Sequence, residues 1–206
     1  MKTFICATAV ACLLAVAGHA AAADNSWAFS AGALNKIDLH YGSSSTRIHT
    51  AYKSGSQFGG AWTSKPQGNW HWDIAVSFSH QDIDRSVYTS GSTTYTNTNS
   101  GSLKTASFWL DGVYDFPVKG SVKPYVGAGF GGTHVWLDDG VGLKGDLQSP
   151  GVQVFGGVNV AVSKKVSLFG EARLERLGNF DIEVNSNATH AQLDTSAVVV
   201  GLRTSF

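Results

Sequence analysis

His71, Asp73 and Ser77 carry the side-chain types of a base, an orienting acid and a nucleophile, and they stand at alternate positions of one short stretch, 70–79. In an extended chain alternate residues share a face, so all three point the same way. Residues two apart on a strand are separated by about 6–7 Å, too far for a hydrogen-bonded relay along one strand. Nucleophilic chemistry would need partners from neighbouring strands. The sequence offers no arrangement that supplies them, and an incidental inward-facing histidine is the plainer expectation.

The other candidates are weaker still. His40, His71, His80, His134 and His190 would hold a metal or haem only if they converged. The strand assignment below puts His71 near one end and His40, His80 and His134 near the other. The run Gly127–Gly132 opens no helix, so a nucleotide-binding loop is excluded. Asn187-Ala-Thr189 fits a glycosylation acceptor and carries little weight. No catalytic, cofactor or metal site is expected. The eight charged residues Lys36, Asp38, Asp73, Asp111, Glu171, Arg173, Glu175 and Arg203 form a different pattern. Each falls on the polar, minority face of an alternating segment.

Those segments account for the rest of the chain. Trp27, Phe29, Ala31 and Ala33 share one face, continued weakly by Ile37, Leu39 and Tyr41, with Lys36, Asp38 and His40 opposite. A glycine-interrupted strand follows at 57–64. The stretch 70–79 alternates most cleanly: Trp70, Trp72, Ile74, Val76 and Phe78 against His71, Asp73, Ala75, Ser77 and Ser79. A period of two over this length marks a strand. Further strands are expected at 104–116, 123–136, 151–162, 166–177 and 193–206. In the strand at 123–136, Val126, Ala128 and Phe130 point out while Tyr125 and the glycines point in. Connections alternate long and short. Tight turns fall at 65–69, 117–122 and 163–165. Long polar loops fall at 42–56, 81–102, 137–150 and 178–192, the second with so little apolar content that it is expected to be exposed and mobile.

Eight strands joined in this way suggest a closed antiparallel barrel, and the question is which face meets the lumen. The broad faces carry large aromatics spaced by two, a poor exterior for water. The narrow faces carry both signs of charge. A soluble barrel of the lipocalin kind would be built the other way round. The inverted arrangement, greasy outside and ionic inside, is that of a transmembrane barrel. Trp27, Trp70, Trp72, Tyr114, Phe116 and Phe206 then gather at the short-turn end as an aromatic girdle. Charges in so narrow a lumen should pair. A structural plug is favoured over a charged constriction.

The N-terminus, residues 1–23, reads as a cleaved signal peptide: Lys2, an apolar run from Phe4, then small residues before Asp24. A lipoprotein site at Cys12 fits poorly. Both cysteines, Cys6 and Cys12, lie in this leader, so the barrel of residues 24–206 would carry no disulfide. The chain has 15 basic and 15 acidic residues, and removing Lys2 leaves 14 against 15. That balance does not favour nucleic acid.

The export signal, the eight alternating strands, the segment Lys-Pro-Tyr-Val-Gly-Ala-Gly-Phe-Gly-Gly132 and the terminal Phe206 resemble the OmpA-like, opacity-type small outer-membrane barrels. The resemblance spans the whole exported chain. It implies a Gram-negative outer membrane and insertion by the barrel-assembly machinery; the alternation of short turns and long loops puts both termini in the periplasm, and a monomer surrounded by lipid and lipopolysaccharide is expected. Functions vary widely across that family, and the first expectation for this chain is a non-enzymatic role in which four surface loops contact host or envelope ligands. A narrow channel for small solutes and a lipid A-modifying enzyme are the alternatives. For the last, nothing resembles the His–Ser pairing of the known deacylases.

Overall fold

The computed structural model describes residues 25–35, 37–42, 46–97, 101–138, 144–184 and 187–206. Among these residues every regular element is a strand. In chain order they are β1 (Asn25–Leu34), β2 (Ile37–Gly42), β3 (Thr46–Tyr52), β4 (Gly55–Gln67), β5 (Trp70–Ser90) and β6 (Thr93–Asn97). There follow β7 (Ser102–Asp115), β8 (Val122–Asp138), β9 (Lys144–Ala161), β10 (Val166–Val184) and β11 (Asn187–Ser205). All pairings are antiparallel, and β1 pairs with both β4 and β11. The ring β1-β4-β5-β7-β8-β9-β10-β11 is therefore closed, with no edge left open along it. The barrel has eight strands, as the alternation predicted.

The parity read from the sequence holds around the ring. On β5, Trp70, Ile74 and Phe78 are 58%, 40% and 60% exposed while His71, Asp73 and Ser77 are buried. Trp27, Phe29, Phe108, Val126, Phe130, Val152, Leu174, Val198 and Val200 continue the exposed apolar band. The stretch from Trp70 to Phe78 matches the ~9–11 residues that a tilted membrane strand needs. Asn25 and Phe206 lie together (Phe206 N donates to Asn25 O, 3.2 Å), at the end that carries the short turns. At that end Ser205 N reaches Lys165 O (2.8 Å) and Asp115 N reaches Asn69 O (2.8 Å). Gly68, with φ of 71°, takes the left-handed conformation that closes β4 onto β5.

The opposite end departs from expectation. The described part of 81–102 is not a structureless loop: β5 runs on to Ser90 and turns at Gly91 into β6. Likewise 42–56 is largely strand, with β2 paired to β3 and β3 to the upper part of β5. The stretches 137–150 and 178–192 are also mostly strand, up to the undescribed 139–143 and 185–186. Ile37 was expected on the outward face and is instead 4% exposed and packed inside. The strand breaks at Asn35, whose carbonyl accepts a hydrogen bond from Gln81 Nε2 (2.9 Å), and the chain re-enters with its parity reversed. The same amide also donates to Lys53 O (3.0 Å), at the matching break between β3 and β4. The side chains of Leu39 and Tyr41 lie outside the description.

The lumen is filled by two layers of different chemistry. Toward the short-turn end and middle it holds His71, Asp73, Asp111, Gln153 and Glu171, all buried. Toward the hairpin end it holds an apolar cluster of Ile37, Tyr52, Ile83, Leu103, Val135, Leu137, Leu177 and Leu193. Trp109, with no exposed surface, stands one inward position above Asp111 on β7.

Candidate functional site in the lumen and its outer wall

β10 places Glu171, Arg173 and Glu175 at successive inward positions, and Arg173 serves both neighbours. Its Nε and Nη2 donate to Glu171 Oε1 at 3.0 and 2.7 Å, and its Nη1 lies 3.9 Å from Glu175 Oε1. Glu171 also accepts from the Tyr125 hydroxyl on β8 (3.0 Å), and Glu175 from Thr195 on β11 (3.2 Å). Arg203 of β11 crosses the lumen to Asp73 of β5, 3.4 Å away. Asp73 and Asp111 are directly opposed across β5 and β7. Like charges so placed repel, and Asp111 turns to a different partner: Gln153 Nε2 donates to it at 2.6 Å.

Each guanidinium also lies over an aromatic ring, Arg173 over Phe155 at 5.4 Å and Arg203 over Phe169 at 5.6 Å. A flat cation stacks on a ring face by cation–π attraction. The inward glycines on β8 make room for this packing. A Cβ at Gly127 would collide with the Phe155 ring, and one at Gly129 with the Asp111 carboxylate.

Six of the eight charged residues singled out in the sequence, Asp73, Asp111, Glu171, Arg173, Glu175 and Arg203, thus line one stretch of lumen. Lys36 and the side chain of Asp38 lie outside the described residues. Sequence reasoning missed the neutral partners. Gln153 and Tyr125 were readable as inward by parity, but nothing in the sequence says which carboxylate each meets. His71 belongs here as well, its Nδ1 3.3 Å from Asp115 and its Nε2 3.6 Å from Asp73. Both ring nitrogens thus face carboxylates.

A cavity of about 30 Å³ lies among Gln57, Asp73, Asp111, Glu171, Arg173 and Arg203. Ala75, Phe155, Phe169 and Val199 join these polar groups in its walls, and it would take a water molecule or two. A second space, about 10 Å³, lies higher, among Gln57, Gln81, Thr133, Glu175 and Leu193. Among the described residues no cluster of three or more His, Cys, Asp or Glu could hold a metal ion.

Outside, the six residues expected to form an aromatic girdle face away from the lumen near the short-turn end. Trp70 and Tyr114 rings lie 5.1 Å apart, and Tyr114 meets Phe116 edge-on at 5.4 Å. Trp27, Trp72 and Phe206 are about half exposed or more. At the hairpin end the apolar band stops at a polar ring that includes His80, Lys104, Gln148, Arg176 and Asp194. Arg176 and Asp194 form an exposed two-pronged ion pair (2.9 and 3.0 Å). The sequence model of the outer membrane protein beta-barrel domain matches residues 8–206.

The chain belongs to the outer membrane protein beta-barrel family. No curated protein matches it by sequence. Among solved structures, it is similar to the outer membrane protein OprG of Pseudomonas aeruginosa, with 14% identity, TM-score 0.60, and 92% and 98% of the two chains covered. It is also similar to Neisserial surface protein A, with 18% identity, TM-score 0.50, and 88% and 96% covered. The outer membrane protease OmpT of Escherichia coli gives 7% identity, TM-score 0.52, and 89% and 97% covered. At such identities these likenesses show the fold. A small outer-membrane barrel of eight strands, as the sequence pattern implied, is thus the protein's architecture and places it in the Gram-negative outer membrane.

Proposed function

We propose that this outer-membrane barrel is a non-enzymatic scaffold. Its lumen is plugged, and its extended hairpins are the working surface, meeting host or envelope ligands. The observation that carries this reading is the double filling of the lumen. An ionic layer closed by Arg173 and Arg203 lies beneath an apolar layer centred on Trp109, Leu177 and Leu193. Eight strands enclose a space just wide enough for side chains, and here the side chains occupy it. The position of His71 between Asp73 and Asp115 supports a structural use of that histidine over nucleophile activation. The short turns and both described termini belong in the periplasm by this reading, since barrels of this class keep brief turns there and long connections outside. The barrel-assembly machinery inserts the chain, which remains a monomer.

The test is conductance across a planar lipid bilayer, with lipid A deacylation assayed beside it. The reading expects neither activity from the wild type. A second reading, a narrow passage for small solutes, draws on the lumen cavity of about 30 Å³. Discrete conductance steps would establish it and overturn the first. Release of acyl chains from lipid A, lost on His71→Ala, would overturn both.

A further inference from the structure

An apolar surface on a membrane barrel carries no information, because lipid covers all of it. A depression in that surface with an unmatched charge at its rim does. On the wall formed by β5, β7, β8 and β9, a groove of about 610 Å³ is floored by Ala106 and Gly132 and walled by Val76, Phe78, Phe108 and Pro150. The floor is low because a Cβ at Gly132 would meet only Ser149 O, at 3.8 Å. The groove runs up to the polar ring at the hairpin end. There Lys104 occupies the next outward position above Ala106, paired in register with His80 and Trp136. His134, opposite Ala106, stacks on Trp136 with ring centroids 4.2 Å apart.

Lys104 is exposed and has no ion-pair partner among the described residues. The contrast with Arg176 at the same boundary is instructive, since that cation is matched by Asp194. His80 has Asp82 at 3.2 Å. An ammonium with no partner among the described residues, one outward position above the floor of a hydrocarbon slot, fits a ligand with an anionic head and an acyl tail. The aromatic ledge beside it favours a head that carries a sugar ring over a bare phosphodiester.

We propose that this groove binds one acyl chain of lipid A, with Lys104 on a phosphate and the His134–Trp136 ledge against the glucosamine. The site requires the hairpin end to face outward, as in the function proposed above. A second depression, about 490 Å³, lies among Trp27, Phe29, Gly60, Trp62, Ile74 and Val76, with no cation among the residues that line it. It serves as the internal control.

The experiment uses the full-length protein refolded in detergent, with lipid A, phosphatidylglycerol or phosphatidylcholine added. Bound lipid is counted by native mass spectrometry, and the temperature of the folded-to-unfolded gel shift is followed in parallel. Lipid A should be retained at least tenfold more tightly than phosphatidylglycerol. Lys104→Gln should weaken it about tenfold, the loss of one charge-assisted contact. Gly132→Leu with Ala106→Leu should abolish the preference by filling the slot, while Gly60→Leu should leave it intact. Equal retention of lipid A and phosphatidylglycerol, or a preference unchanged in Lys104→Gln, overturns the proposal. The Lys104 arm suffices if the double variant does not fold. Orientation is tested separately by labelling Ser92→Cys in whole cells with a membrane-impermeant maleimide. Protection from that reagent would sink the outward assignment of the hairpins, whatever the lipid result.

Discussion

The two layers of the lumen are built on the same strands yet obey opposite rules. On β5 the inward sequence runs from Asp73 to Ile83, on β7 from Asp111 to Leu103, on β10 from Glu171 to Leu177 and on β11 from Arg203 to Leu193. In each case a charge below gives way to an aliphatic side chain above. The change follows what surrounds the barrel at each height. Within the bilayer the outward positions take the apolar residues, and the lumen holds the charged ones among a few buried rings and aliphatic groups such as Phe155, Phe169 and Val199. Beyond the bilayer the exterior is water, so the pattern inverts to that of an ordinary soluble sheet, polar out and apolar in. One continuous strand therefore carries two codes in series, and the layers should fail in different ways.

The ionic layer should give the larger loss. Arg173→Gln leaves Glu171 and Glu175 buried side by side without their shared cation. Breaking a buried pair from one side costs about 3–5 kcal/mol. Urea unfolding in lipid bilayers, followed by tryptophan fluorescence, measures it. A loss near that of an exposed charge would mean that solvent already reaches this layer, and the plug reading would weaken with it.

In the apolar layer, Leu193→Ala removes a nearly fully buried side chain, and a core truncation of this kind costs about 2–5 kcal/mol. The result that sharpens the comparison is conductance. A single truncation above should leave the bilayer current silent, because the ionic layer still closes the lumen below. Arg173→Gln combined with Leu193→Ala removes both closures, and if the layers seal in series only the pair conducts. Current from Leu193→Ala alone would show that the ionic layer is open to ions.

How these layers appear in the sequence explains what could be read there. The lower one was legible: Trp72 out and Asp73 in, Leu110 out and Asp111 in, Leu174 out and Arg173 in all follow from alternation against a membrane. The upper one was not, because its apolar members are single residues in polar surroundings. In Gln81-Asp-Ile-Asp84 the alternation is present, yet with one aliphatic side chain the stretch resembles a loop. Ile37 shows the other limit. The strand breaks after Leu34 and Ile37 returns on the inward face, and the contact made at the break, with a Gln81 side chain 46 positions away, leaves no local trace. The partners of the lumen charges were invisible for a similar reason. Inward parity selects Gln153 and Tyr125, but only cross-strand register assigns the first to Asp111 and the second to Glu171.

The outward wall at the height of the ionic layer supplies a third, smaller effect. Ile74→Arg exposes a charge to hydrocarbon and should cost about 2–4 kcal/mol by the same urea assay, as for cations near the midplane of other barrels. The neighbouring inward position discriminates: Ser77→Arg faces the lumen cavity, where Asp73 and Asp111 can receive it, so its penalty is one of crowding. Equal tolerance of the two would mean that the faces of β5 are wrongly assigned.

The smallest effect belongs to the boundary between the codes. Arg176 and Asp194 are the first outward charges above Leu174 and Val198, and their geometry is as good as that of the Arg173–Glu171 pair inside: two hydrogen bonds at 2.9 and 3.0 Å. Geometry alone would rank the two pairs together. Solvent separates them, because an exposed pair gains little over its hydrated partners and is screened by salt. Arg176→Ala should therefore leave the unfolding midpoint unchanged within error, at low salt and at high. A loss comparable to that of Arg173→Gln would place this pair out of water, and the edge of the apolar band would then have to be drawn above Arg176 instead of below it.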